Sequence, residues 1–151
     1  MADVGELIAR TALDRDLRIA VAESLTGGAL SQAFAAAPDA GTWFAGGVVA
    51  YTVETKNRVL GVPEGPVVNA PTARQMAQGV LELLDADVAL AVTGVGGPGD
   101  EEGRPPGTVY LAIVTRDSTR ITEFAFDGDP ESVVKQTVDA SLRALQTDLG
   151  A

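Results

Sequence analysis

Glu23 and Ser24 stand at the end of the apolar run Ile19 to Ala22, and Thr26-Gly27-Gly28 follows closely. A strand that turns at once into a helix aims unpaired backbone N–H groups past its own end, a place suited to an oxyanion or a phosphate. Ser24 and Thr26 bring hydroxyls there, and the glycines let a ligand approach the backbone. The plainer reading makes Ser24 or Thr26 the N-cap of the next helix, Gly27-Gly28 its turn and Glu23 a solvated carboxylate.

The chain has no histidine and no cysteine, so thiol nucleophiles, disulfides, Cys/His zinc sites and imidazole triads are excluded. A serine nucleophile then needs another base, and a lysine desolvated in a cleft can serve. Lys56, shortly after Tyr51, is the best placed, with Tyr51 relaying the proton or fixing the geometry. Against this, Lys56 reads as an exposed helix lysine and Tyr51 as a half-buried strand aromatic. A third apolar run closes on Thr93 before Gly94-Val-Gly-Gly-Pro-Gly99. That loop lacks the Lys-Ser/Thr ending of a P-loop and does not fit Gly-x-Gly-x-x-Gly, so its phosphate signal is weak and a tight turn explains it as well. Asp100, Glu101 and Glu102 suggest a cation site or simply a solvated loop tip.

The elements that must position these groups follow from periodicity. Helices are expected at Val4–Leu13, Ala29–Ala37, Val53–Leu60 and Thr72–Leu84, the last capped by Thr72, and a final one begins at Asp129-Pro130. Strands are expected at Ile19–Ala22, at Trp43–Thr52 with a bulge or a close backbone approach at Gly46-Gly47, and at Asp87–Thr93, Thr108–Val114 and Thr119–Phe126. This alternation predicts an α/β protein: one domain over residues 1–151, a three-layer α/β/α sandwich on a mixed, mostly parallel sheet. Ligands of such sheets collect outside the carboxyl ends of the strands. Three of the predicted strands end in the residues named above: Glu23-Ser24, Tyr51 followed by Lys56, and Thr93 before the glycine loop.

At 151 residues and 46% hydrophobic, the chain can bury one core. A net charge of −10, with eleven scattered basic residues, argues against a nucleic-acid surface and leaves any phosphorylated ligand to be held by local donors. The first residues carry no basic and apolar leader pattern, and no apolar run reaches membrane-spanning length, so no membrane association and a cytoplasmic setting are the expectation.

Taken together, Ala22–Gly28, Gly46–Val62, Ala91–Gly99 and Gly107–Ala112 resemble the CinA C-terminal domain family, the nicotinamide-nucleotide amidohydrolases, over nearly the whole chain. The amino-terminal domain of full CinA proteins is not in this sequence, which suggests a stand-alone version. The resemblance implies hydrolysis of the carboxamide of nicotinamide mononucleotide, without metal or organic cofactor, by a homo-oligomer whose partner is the small nucleotide substrate. It makes Ser24 the nucleophile, Lys56 its base and Tyr51 the third catalytic member, with Glu23 and Thr93 also in the site. Thr26, Gly27, Gly28 and Gly94 complete the expected substrate-binding set, the turn N–H groups of Thr26 to Gly28 receiving the oxyanion. The pattern departs at Pro130 and Val134, where the family tends to have arginines suited to clamping a phosphate, and at Asn69, where serine is common. Lys135 and Arg104 are the candidate substitutes.

Overall fold

The computed structural model describes residues 2–151. The chain opens on α1 (Val4–Asp14), started by a capping box in which the Asp3 carboxylate accepts from Glu6 N–H and the Glu6 carboxylate accepts from Asp3 N–H. β1 (Ile19–Glu23) follows, then α2 (Ala29–Ala35), a single turn α3 (Ala40–Trp43), β2 (Phe44–Val49), α4 (Val53–Leu60) and α5 (Ala70–Leu83). β3 (Val88–Gly94), β4 (Thr108–Thr115), β5 (Thr119–Ala125) and α6 (Pro130–Leu149) complete it. None of the helices among the described residues is long and apolar enough to cross a membrane.

The strands lie in the order β2-β1-β3-β4-β5. β1 pairs parallel with both β2 and β3, whereas β3–β4 and β4–β5 are antiparallel. Only β4 therefore runs against the others, and the sheet is mixed with most strands in one direction, as the element alternation predicts. β1 and β3 are buried along their whole length, which is why both read as unbroken apolar runs. Strand alternation sorts their side chains: Ile19, Val21, Leu90 and Val92 face α1, α2 and α6, while Ala20, Ala22, Ala89 and Ala91 face α5. An alanine floor lets α5 lie low on the sheet.

Three local expectations change. The second helix stops at Ala35 and a separate turn carries Trp43, whose indole Nε1 donates to Pro38 O at 2.9 Å while its ring packs edge-on against Phe34. That buried anchor delays the strand to Phe44, and β2 ends at Val49, before Tyr51. α5 begins at Ala70 because the Asn69 side chain, not Thr72, is its N-cap: Asn69 Oδ1 accepts from Thr72 N at 2.8 Å. The predicted β2 bulge is present, since the register slips from Ile19↔Phe44 to Ala20↔Gly46.

Gly79 is where α5 meets α4. A Cβ there would overlap the Leu60 carbonyl, a backbone atom that cannot step aside. Gly79→Ala is therefore expected to destabilise the domain by about 1–3 kcal/mol despite the better helix propensity of alanine, read as a lowered urea midpoint at unchanged m-value.

Candidate active site

Register decides what meets at the end of the sheet. Glu23, the last residue of β1, pairs with Val49 of β2 on one side and with Val92 of β3 on the other. The Ala50 N–H, just past β2, donates to Glu23 O at 2.8 Å. Ser24, Tyr51 and Thr93 therefore leave three neighbouring parallel strands at the same edge, the position at which open α/β sheets gather ligands.

α4 brings the amine to that edge. Thr52 caps the helix by accepting from Thr55 N at 3.2 Å, so Lys56 falls in the first turn and folds back toward the strand it follows. Its Nζ donates to the Tyr51 carbonyl oxygen at 3.2 Å, and the side chain is only 2% exposed. Burial holds the Lys56 ammonium below its ordinary value of 10.5, a shift opposed by the negative charges of Glu101 and Glu102. Lys56 is thus a buried group and not the exposed helix lysine of the plainer reading. Tyr51 is the reverse: 67% exposed and outside the strand, it contributes its backbone carbonyl to Lys56, while its phenol has no partner among the described residues.

Ser24 is 7% exposed, and its hydroxyl makes no hydrogen bond to the described residues. No fully buried side-chain N or O atom among those residues lacks a partner, so this oxygen keeps contact with solvent. A nearly enclosed, uncommitted hydroxyl is chemically available.

Glu23 is not a solvated loop carboxylate; it is completely buried. Oε1 accepts from Thr26 Oγ1 at 2.6 Å, Gly28 N at 3.2 Å and Leu30 N at 2.8 Å, and Oε2 accepts from Ser31 N at 2.8 Å and Ser31 Oγ at 2.6 Å. A carboxylate from the strand occupies the positive end of the helix, where an external anion was expected to sit. The Gly27 N–H is also engaged, by Ser24 O at 3.0 Å. Of the turn, the N–H groups of Leu25 and Thr26 remain without an acceptor among the described residues. The positive φ of Gly27 (56°) and Gly28 (111°) gives these residues a conformational role in shaping the turn.

Thr93 and Gly94 also have work inside the fold. Thr93 Oγ1 donates to Val67 O at 2.9 Å, and a Cβ at Gly94 would overlap Thr108 O on the adjacent strand. Two contributors escaped the sequence reading. Ser31 doubles the Glu23 clamp, and Glu102, read as part of a solvated tip, accepts from Val67 N at 2.9 Å and Val68 N at 2.9 Å. Neither lies in a motif: the Glu102 bonds span more than thirty residues and leave no periodic signal, and nothing in the composition around Ser31 marks it as a partner of Glu23. Of the candidate phosphate partners, Arg104 is committed to Tyr110, donating to its hydroxyl at 2.7 Å. Lys135 is exposed on α6, 3.9 Å from Glu131, and lines a cleft of about 290 Å³ with Ala29 and Val134. A cavity of about 600 Å³ lies elsewhere, between α5 and the loop before it, and none of the strand-end residues lines it.

The Ser24 hydroxyl, the buried Lys56 amine and the exposed Tyr51 phenol thus lie along one edge of a mixed α/β/α domain, the edge at which open sheets of this kind gather ligands. The CinA C-terminal domain model matches residues 1–149, and the chain belongs to that family. It is 39% identical over 145 residues to a putative competence-damage inducible protein of Desulforamulus reducens, covering 93% of this chain and 35% of that one. A CinA-like protein of Geobacter sulfurreducens is 36% identical over 148 residues, 94% of this chain and 36% of its own. The chain thus spans about a third of the length of these relatives. Among solved structures, a CinA superfamily protein from Klebsiella pneumoniae 700603 superposes with a TM-score of 0.93 at 35% identity, covering 97% of this chain and 96% of its own. The competence/damage inducible protein CihA of Agrobacterium tumefaciens gives 0.88 at 31%, covering 100% and 98%.

Proposed function

We propose that this domain hydrolyses the carboxamide of nicotinamide mononucleotide to nicotinate mononucleotide and ammonia. Lys56 Nζ takes the Ser24 hydroxyl proton as Ser24 Oγ forms a bond to the amide carbon, and the N–H groups of Leu25 and Thr26 receive the charge on the carbonyl oxygen. As the tetrahedral adduct collapses, the C–N bond breaks and the Lys56 ammonium protonates the departing nitrogen. Water then attacks the acyl-serine, gives its proton to Lys56, and Ser24 recovers a proton on release of the carboxylate. Tyr51 closes the site from its exposed position, and Lys135, beside the start of α2, is the cation that meets the substrate phosphate.

The observation that most supports this reading is the burial of Lys56 at the strand end next to that of Ser24, with its basicity lowered. An exposed lysine is protonated at neutral pH and cannot accept a proton; a desolvated one can. The test is ammonia release from nicotinamide mononucleotide by the parent protein and by Ser24→Ala. The parent is expected to turn over and the variant to lose about 10³-fold or more of the rate with an unchanged melting temperature. A variant as active as its parent ends the proposal.

A second reading is favoured by Pro130 and Val134 at the start of α6, where the resemblance leads one to expect arginines: a homologue that binds a nucleotide without hydrolysing it. Inert protein whose melting temperature rises with added nucleotide would establish that reading instead.

A further inference from the structure

The cavity of about 600 Å³ beside α5 has a composition unlike the rest of this acidic surface. Its walls include Pro63, Pro66, Pro71 and Ile121, rigid apolar surfaces that lose little entropy when covered. Arg74 is its one cation and Glu64 its one acid. Arg74 is exposed on α5 and has no ion pair or side-chain hydrogen bond among the described residues. Arg58, Arg120 and Arg143 are matched to carboxylates, whereas Arg10, Arg15 and Arg116 are unmatched like Arg74, so what sets Arg74 apart is its place on the wall of this cavity. In a chain of net charge −10, an unmatched guanidinium over an apolar cavity is a specific attraction for an anion. The overall field and Glu64 disfavour a doubly charged phosphate, so a singly charged carboxylate on a flat apolar body fits best.

The wall of this cavity reaches the strand-end cluster from behind. Pro66 lines the cavity and its carbonyl accepts from Asn69 Nδ2 at 3.1 Å. Next in sequence, Val67 N and Val68 N donate to Glu102, and Val67 O accepts from Thr93 Oγ1. Glu102 is one of the two charges that act on Lys56. One short segment therefore has the cavity on one side and the carboxylate and hydroxyl of the strand-end cluster on the other.

We propose that this cavity is a second ligand site, taking an aromatic monocarboxylate through Arg74 and the proline wall, and that its occupancy is transmitted to the strand-end cluster through Val67 and Val68. The site stands independently of the hydrolysis proposed above, and its test needs no turnover. The probe is 2-naphthoate, compared with neutral 2-naphthalenemethanol, titrated calorimetrically and followed by amide NMR. Naphthoate is expected to bind at least tenfold more tightly than the alcohol and to lose at least tenfold in affinity in Arg74→Gln, whose melting temperature should match the parent because the side chain is exposed. The Val67 and Val68 amide signals should shift on binding while those of Leu25 and Thr26, at the proposed hydrolytic site, shift less. Naphthoate binding of undiminished affinity in Arg74→Gln, no binding at all, or shifts centred on Leu25 and Thr26 would each overturn the proposal.

Discussion

Lys56→Met is expected to abolish the amide hydrolysis proposed for this domain, a loss of about 10²–10⁴-fold in kcat, without destabilising the domain by more than about 1 kcal/mol. The two halves of that result have different causes. Methionine fills nearly the same buried volume and forfeits one hydrogen bond, to Tyr51 O, which costs about 1 kcal/mol. In return the domain no longer desolvates an ammonium, so the balance is near zero or favourable. The pH dependence carries the same information. A folded-state value held below 10.5 means that the unfolded chain binds more protons than the native one in the window between the two values. The Lys56 contribution to stability therefore increases as pH rises through that window and is lost as pH falls, leaving a standing penalty at neutral pH. Lys56→Met should flatten this part of the stability profile. The same proton governs rate: activity of the parent should climb with pH along a limb lying below 10.5. Urea titrations at several pH values and a pH–rate profile check both, and a variant that unfolds readily yet retains its catalytic rate would refute the assignment of Lys56.

Glu23→Ala is expected to be the most damaging single change to the fold, costing about 3–5 kcal/mol. The substitution deletes the acceptor of five hydrogen bonds at a site with no access to water. Three of the donors are backbone N–H groups of the turn and of α2, which have no alternative partner and sit at the positive end of the helix. Since the same carboxylate fixes the turn carrying Ser24 to Gly28, the proposed hydrolysis should fall with stability. Glu23→Gln restores one acceptor but turns an NH₂ toward donors, so it should recover only part of the loss. A urea midpoint for Glu23→Ala within about 1 kcal/mol of the parent would show that the clamp contributes little.

How far the sequence reaches is clearest at these two residues. The strand-then-turn pattern around Ile19–Gly28 locates β1 and α2 correctly because burial on both faces and the glycine turn are local properties of the chain. The five hydrogen bonds of Glu23 are also short-range, but a carboxylate at a strand end is compatible with solvent, substrate or helix. Only the path of α2 decides among them. That path depends on Gly47, where a Cβ would overlap Ser31 Oγ, a contact between β2 and α2 with no periodic trace. Asn69 makes a related point: it stands where the resemblance leads one to expect serine, and because both residue types make good N-caps, the departure is compatible with the start of α5. Pro130 is likewise compatible with its place, the first turn of a helix capped by Asp129, whatever its effect on a ligand. The solvent exposure of Tyr51 was the least legible feature. It follows from β2 ending at Val49, three residues earlier than its composition suggests, with the chain leaving the sheet at Ala50.

The strand order also has a consequence for how the protein comes into being on the ribosome. β3, β4 and β5 pair with their neighbours in sequence, so that meander can close soon after its residues emerge. β1, synthesised well before, must wait for β3 to supply its second flank, and until then much of its backbone and both its apolar faces lack their final cover. Within this domain the segment bearing Ser24 is thus translated before the strand that completes its cover, an interval in which a chaperone could engage it.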